Sequence, residues 1–166
     1  MHSRYDVSSR RPCSVAATLE LVGERWSLVV VRELFYGVRR FDGIRRATGA
    51  PRNMLAARLK TLQQAGVVQR RPYLDRPPRY EYFLTAAGLE LVPVLLTLQR
   101  WGDTHLAGNL TMPLRHVHPG SAEHRLRPEL VCTTCGETIT APELTMALAD
   151  PWAEPRPAPA GQPAAG

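Results

Sequence analysis

The sequence predicts a mainly α-helical fold with one small β-hairpin wing. Three observations carry this expectation. Apolar residues recur at helical spacing through residues 14–65. Two runs rich in aromatic and β-branched residues flank the Pro-containing stretch LDRPPR. A last segment, TAAGLELVPVLLTLQRWGDTHL, is helical in pattern but apolar over more than one stripe.

Taken in order, residues 1–12 are polar and read as a flexible arm. Ser14 is placed to cap a first helix running to Val22, with Val15, Leu19 and Val22 on one face and Gly23 ending it. A second helix is expected from Glu24 to the stop at Gly37, with Trp26, Val30 and Leu34 at core spacing. Phe41 and Ile44 mark a short third helix that halts at Gly49. Pro51 suits the opening turn of a fourth helix reaching Ala65. On it Leu55, Leu59 and Leu62 share one face, while Asn53, Ala57, Lys60 and Gln64 lie opposite. Residues 67–73 and 80–84 form the hairpin strands. Thr85 caps one long final helix, which Pro93 should kink. Its apolar breadth suggests burial against both its own core and a second subunit.

The composition changes after Gly108. Residues 108–150 are a polar extension holding Cys132-Thr133-Thr134-Cys135, and residues 151–166 form a Pro- and Ala-rich tail expected to be disordered. In 166 residues this amounts to one domain, residues 13–107, with an appendage.

Charge narrows the function. The net charge is +6, and Lys60 is the single lysine, so the positive charge is almost wholly arginine. Arginine suits bidentate contact with phosphate and guanine. The first twelve residues hold no apolar core of a signal peptide, and no apolar run approaches membrane-spanning length. A cytoplasmic protein with no membrane partner is therefore expected. Three cysteines, an odd number, argue against a disulfide framework.

A short helix, a turn at Gly49, a longer helix and then a hairpin make a winged helix-turn-helix. The longer helix fits the major groove of double-stranded DNA, and a cationic wing tip fits the minor groove. The candidate DNA contacts are Arg52, Asn53, Ala57 and Lys60 on that helix, Arg76 and Arg79 on the wing, and Arg40 against flanking phosphate. Arg39, Arg45 and Arg46 are further phosphate candidates, and Arg58 falls nearer the core side of its helix.

Within residues 13–103, several marks occur together: Cys13 opening the first helix, Gly23-Glu24-Arg25-Trp26, Arg39-Arg40-Phe41 with Ile44, Leu55 and Leu59 before Gly66, Arg79-Tyr80-Glu81-Tyr82 with Leu84-Thr85, and Trp101-Gly102. In these the chain resembles the HxlR-type regulators, winged-helix proteins distantly similar to the MarR group. The resemblance implies a homodimer built from the first and last helices. It also implies an imperfect-palindrome operator and control of neighbouring genes, as repressor or activator.

Two further sites stand apart. Cys13, near a helix N-terminus and near Arg10 and Arg11, is a candidate redox sensor for an oxidant or electrophile effector; its bland reading is a small residue at the core edge. Some members of the resembled family use a cysteine in this region for sensing. Cys132 and Cys135 form half of a zinc site, which His116 and His124, or His118, would complete as a Cys₂His₂ set. Without that completion they are remnants, and DNA binding itself requires no cofactor. Two rival functions use the same residues: a small thiol or metal protein centred on Cys132 and Cys135, and a winged-helix module that binds protein. The first lacks a thioredoxin-type βαβ pattern and a Gly-rich phosphate loop, so no enzyme activity is expected.

Overall fold

The computed structural model describes residues 13–106, 115–116, 119–120, 122, 124–126 and 128–144. The arm at 1–12 and the tail at 151–166 lie outside these residues. The chain divides into two compact units, Met1–Thr111 and Met112–Gly166.

In the first unit, α1 (Ser14–Val22), α2 (Ser27–Phe35), α3 (Phe41–Thr48) and α4 (Arg52–Gln64) precede the hairpin β1 (Val68–Leu74) and β2 (Arg79–Leu84). Two helices follow, α5 (Ala86–Leu89) and α6 (Val92–His105). α2 is the hub and packs against α1, α3, α4, β2 and α6. Its Val30 and Val31 are fully buried with Ile44 of α3 and Leu55, Leu59 and Leu62 of α4. The Leu55–Leu59–Leu62 stripe expected from spacing is thus the inner face of α4. Burying each such side chain contributes roughly 1.5–3 kcal/mol.

Three helix ends differ from the sequence reading. Cys13, not Ser14, is the N-cap of α1, and no side chain bonds there. The second helix begins at Ser27 rather than Glu24, because Glu24–Trp26 form a turn closed by the Ser27 amide on the Glu24 carbonyl at 2.9 Å. That turn lays half-buried Trp26 on the core and leaves Glu24 outside, 3.9 Å from Arg58. The expected long last helix is two helices. Pro93 sits in the first turn of α6, where its missing amide costs nothing, so the chain restarts there instead of kinking.

Thr85 caps α5 as expected: its hydroxyl accepts from the Gly88 amide at 3.1 Å and donates to the Gly66 carbonyl at 2.6 Å. Gly88 is buried where α5 crosses the start of the hairpin. A Cβ there would overlap the Val67 carbonyl oxygen and press on the Leu84 side chain. Gly88→Ala is therefore expected to lower stability by about 1–3 kcal/mol despite alanine's helix preference, read as a lower urea midpoint.

The strands are antiparallel, pairing Val68 with Leu84 through Arg71 with Glu81, with an irregularity between Pro72 and Leu74. A β contact not foreseen from sequence adds a third edge: Arg40 bridges to Glu81, and the Tyr82 amide donates to the Arg39 carbonyl at 2.8 Å. The segment entering α3 is thereby fixed to the wing.

In the second unit, β3 (Arg115–His116) pairs antiparallel with β4 (His124–Arg125), and His116 is the register partner of His124. A second ribbon closes between Leu130 and Ile139, and a single 3₁₀ turn follows at Ala141–Glu143. No helix among the described residues is long and apolar enough to cross a membrane.

Candidate nucleic-acid interface

The turn between α3 and α4 is set by local chemistry. Gly49 ends α3 at φ 69°, a left-handed conformation that costs glycine no Cβ clash, and its amide bonds the Arg45 carbonyl at 2.9 Å. The Thr48 hydroxyl donates to the Ile44 carbonyl at 2.8 Å and accepts from the Ala50 amide at 3.2 Å. Ala50 is buried, so α4 leaves the turn in one direction.

α4 begins at Arg52 behind Pro51, with no side chain bonded to its first amides. Its N-terminus therefore keeps open donors and the positive end of the helix dipole, a natural seat for a phosphate oxygen. Arg52, Asn53, Ala57 and Lys60 are all exposed on the outer face. The Arg52 side chain, 77% exposed, lies 3.7 Å from Asp42 and over the Phe41 ring at 5.2 Å. An ion pair this exposed is weak and exchanges readily for a nucleic-acid contact.

Between the α3–α4 corner and the wing runs a cleft of about 820 Å³, lined by five arginines: Arg39, Arg40, Arg46, Arg52 and Arg79. Asp42 and Glu81 are the carboxylates on its walls. The structure thus brings Arg40, Arg52 and Arg79 together from three separated segments. Arg76 does not line the cleft; it is exposed at the wing tip. Asn53, Ala57 and Lys60 continue the surface along α4 outside the cleft. Arg58 is 18% exposed at its side chain and faces Glu24, as its helical phase implies.

Arg40 is more constrained than a flanking phosphate contact requires. Its Nε donates to Glu81 Oε1 at 3.0 Å, and its guanidinium lies over Tyr73 at 4.7 Å. It positions the wing as well as adding charge. Sequence reasoning missed the aromatic supports: Arg70 lies over Tyr80 at 4.3 Å, and Arg39 and Arg71 lie over Phe83 at 4.5 and 4.8 Å. The signal was present as alternation in Arg79-Tyr80-Glu81-Tyr82-Phe83 opposite Arg70-Arg71, since diagonal cross-strand neighbours meet on one face. Burial raises the Tyr82 phenol above its ordinary value, so it stays neutral at the base of the wing.

Among the described residues, α1 and α6 also carry exposed apolar side chains. Val15 and Leu19 of α1 are 66% and 53% exposed, and Val94, Leu98 and Trp101 of α6 recur at i, i+4 and i+7, with Trp101 58% exposed. Cys13 is exposed at the α1 end of this region. In the second unit, Cys132 and Cys135 occupy the turn of the 130–139 ribbon. Amides of Cys135 and Thr134 bond the Cys132 sulfur and bring its thiol down to about 7. The side chains of His116 and His124 and the whole of His118 lie outside the described residues.

Comparison with known proteins agrees with this geometry. The model of the HxlR-like helix-turn-helix family matches residues 21–109. An uncharacterized HTH-type transcriptional regulator of Mycobacterium tuberculosis, Rv3095, is 46% identical over 132 residues, covering 80% of this chain and 83% of its own. Among solved structures, PA1607, described as a candidate transcription factor, has a TM-score of 0.69 at 29% identity, covering 83% of this chain and 96% of that one. The redox regulator HypR in its oxidized form has a TM-score of 0.53 at 32% identity, covering 58% of this chain and all of its own, 100%.

Proposed function

The chain belongs to the HxlR-like helix-turn-helix family of transcriptional regulators, and from that premise we propose that two copies pair through α1 and α6 and grip an imperfect palindrome in double-stranded DNA. The observation that carries this reading is the joining of an uncapped, outward-facing α4 to a five-arginine cleft beneath the wing. α4 enters the major groove, where Arg52 and Asn53 have the donors to read guanine and adenine, while Lys60 meets phosphate. Arg76 and Arg79 carry the wing along the minor groove. Pairing sets the two α4 helices about one turn of DNA apart, roughly 34–36 Å.

The test is a fluorescence-anisotropy titration against the duplex upstream of the protein's own gene, with a scrambled duplex as competitor and several salt concentrations. Competitor-resistant binding with two subunits per site is expected. Equal affinity for both duplexes, vanishing with salt, overturns the reading.

Dimerisation is supported by the large apolar side chains that α1 and α6 expose among the described residues, since large apolar patches on soluble monomers mark interaction surfaces. Leu98→Asp with Trp101→Asp is expected to halve the mass measured by light scattering without unfolding the chain, because both side chains are already solvent-exposed. A dimer that survives the double change sinks this arrangement.

We also propose an oxidant effector acting at Cys13. Support comes from its exposure at the α1 end of the pairing surface and from the resemblance to the redox regulator HypR. Peroxide would convert the thiol to a sulfenic acid with release of water. Cys13→Ser is expected to keep DNA affinity and abolish its change on peroxide treatment. An unchanged response rules out this site.

A further inference from the structure

An acidic side chain stands inside the basic cleft. Five arginines line the cleft, and Glu81 of β2 is one of the two carboxylates on its walls. The two carboxylates are placed differently. Asp42, 72% exposed at its side chain, comes no closer than 3.7 Å to a guanidinium nitrogen. Glu81, 26% exposed, accepts a hydrogen bond from Arg40 Nε at 3.0 Å. Charge alone would make any carboxylate here a hindrance to an anionic partner. The geometry around Glu81 has the opposite consequence.

Both backbones of the Arg40–Glu81 pair are pinned. The two residues are partners in an antiparallel bridge, and the Tyr82 amide donates to the Arg39 carbonyl at 2.8 Å. The side chains therefore leave neighbouring segments at a fixed separation. Across the hairpin Arg71 is the register partner of Glu81, but its guanidinium lies over the Phe83 ring at 4.8 Å. Among the described residues the side-chain bond of Glu81 goes to Arg40.

Arg40 is thus held at two points. Its Nε is bonded to Glu81, and its guanidinium lies over Tyr73 at 4.7 Å, which together set the plane of the group. A guanidinium carries five N–H donors, and a single bond at Nε leaves those on the two Nη atoms. They form the end-on fork that suits two oxygens of one phosphate. A free arginine gives up much rotamer freedom to make that contact, whereas a clamped one gives up little. The Arg40 side chain is 66% exposed, so the clamped group remains open to solvent.

We propose that Glu81 is a positioning residue for DNA binding: it clamps Arg40 at Nε so that the Nη fork meets a backbone phosphate entering the cleft. This rests on the reading that the cleft faces double-stranded DNA. Its distinctive consequence is one of sign. Removing this negative charge from the basic cleft weakens the grip on a polyanion, against the trend of net charge.

The test compares Glu81→Ala, Glu81→Gln, Arg40→Ala and the Arg40→Ala with Glu81→Ala double variant in the full-length protein. Glu90→Ala, at an exposed carboxylate ending α5, makes the same change of charge away from the cleft. Glu81→Ala is expected to lower duplex affinity about tenfold and the salt slope by about one, with little change in the urea midpoint. Glu81→Gln, whose amide oxygen can accept the same bond, should recover most of the affinity. Glu81→Ala should cost nothing further when Arg40 is already alanine. Glu90→Ala should bind as the parent does or slightly more tightly. A heparin column offers a polyanion without base pairs or grooves: on it Glu81→Ala should elute at lower salt than the parent, although it is more positive. Unchanged or tighter binding by Glu81→Ala, or its later elution, overturns the proposal. An equal loss in the Arg40→Ala background overturns it too, because Glu81 would then act on the wing at large. If the parent binds no duplex, the DNA reading fails by itself, and the order of elution from heparin still decides the clamp.

Discussion

Replacing Arg52 and Arg79 together by alanine is expected to reduce sequence-specific DNA affinity by at least a hundredfold. The two side chains reach one cleft from opposite walls, one from the first turn of α4 and one from the base of the wing tip. A well-made bidentate contact to a base is worth on the order of 1–3 kcal/mol, and each lost phosphate contact lowers the salt slope by about one. The two changes should be separable by operator variants. Arg52→Ala should flatten discrimination at one base pair of each half-site. Arg79→Ala should weaken all duplexes alike and reduce the salt dependence. Both side chains are exposed, so the urea midpoint should hold steady. Retention of full affinity by the double variant would mean that the cleft does not face DNA.

The second large effect concerns the inner face of the same helix. Leu59→Ala is expected to cost about 2–5 kcal/mol, measured as a fall in the urea midpoint with an unchanged slope. Leu59 is 1% exposed, between fully buried Leu55 and Leu62, and packs with Val30 and Val31 of the central helix. Total stabilities of single domains are roughly 5–15 kcal/mol, so this one truncation removes a large share. Affinity for DNA should fall only as the folded fraction falls. A loss of binding in fully folded Leu59→Ala would show instead that α4 had shifted on the core.

The two faces of α4 illustrate what could be read from the chain. A spacing of three and four residues places Leu55, Leu59 and Leu62 inward whatever surrounds them, so the helix, its core side and its solvent side followed from local pattern. The arginine cleft was only half legible. Arg40, Arg52 and Arg79 were separately recognisable as charge beside a helix-turn-helix. What joins them is the Arg40–Glu81 bridge, a pairing forty-one positions apart in the sequence that no local rule announces. The break before α6 had a visible cause in Pro93, but proline fits both a kinked helix interior and a new first turn. Only the packing of α5 on Val67 decides between them. The histidine register likewise depends on which two short ribbons pair, and residues 116 and 124 carry too little alternation to announce it.

The bonds at Thr85 have a consequence for how such a protein diversifies. One hydroxyl ties Gly66, just past the end of α4, to the start of α5, and the Thr85 amide reaches the Val67 carbonyl at 3.1 Å. The hairpin is thus buckled shut at its root, while residues 71–79 project into water beyond the buckle. Length and sequence at the tip can change without the change being felt at the root. The wing behaves as an exchangeable cassette: a longer or differently charged tip changes what the hairpin presents to a partner and leaves the distance between hairpin root and α4 as it was.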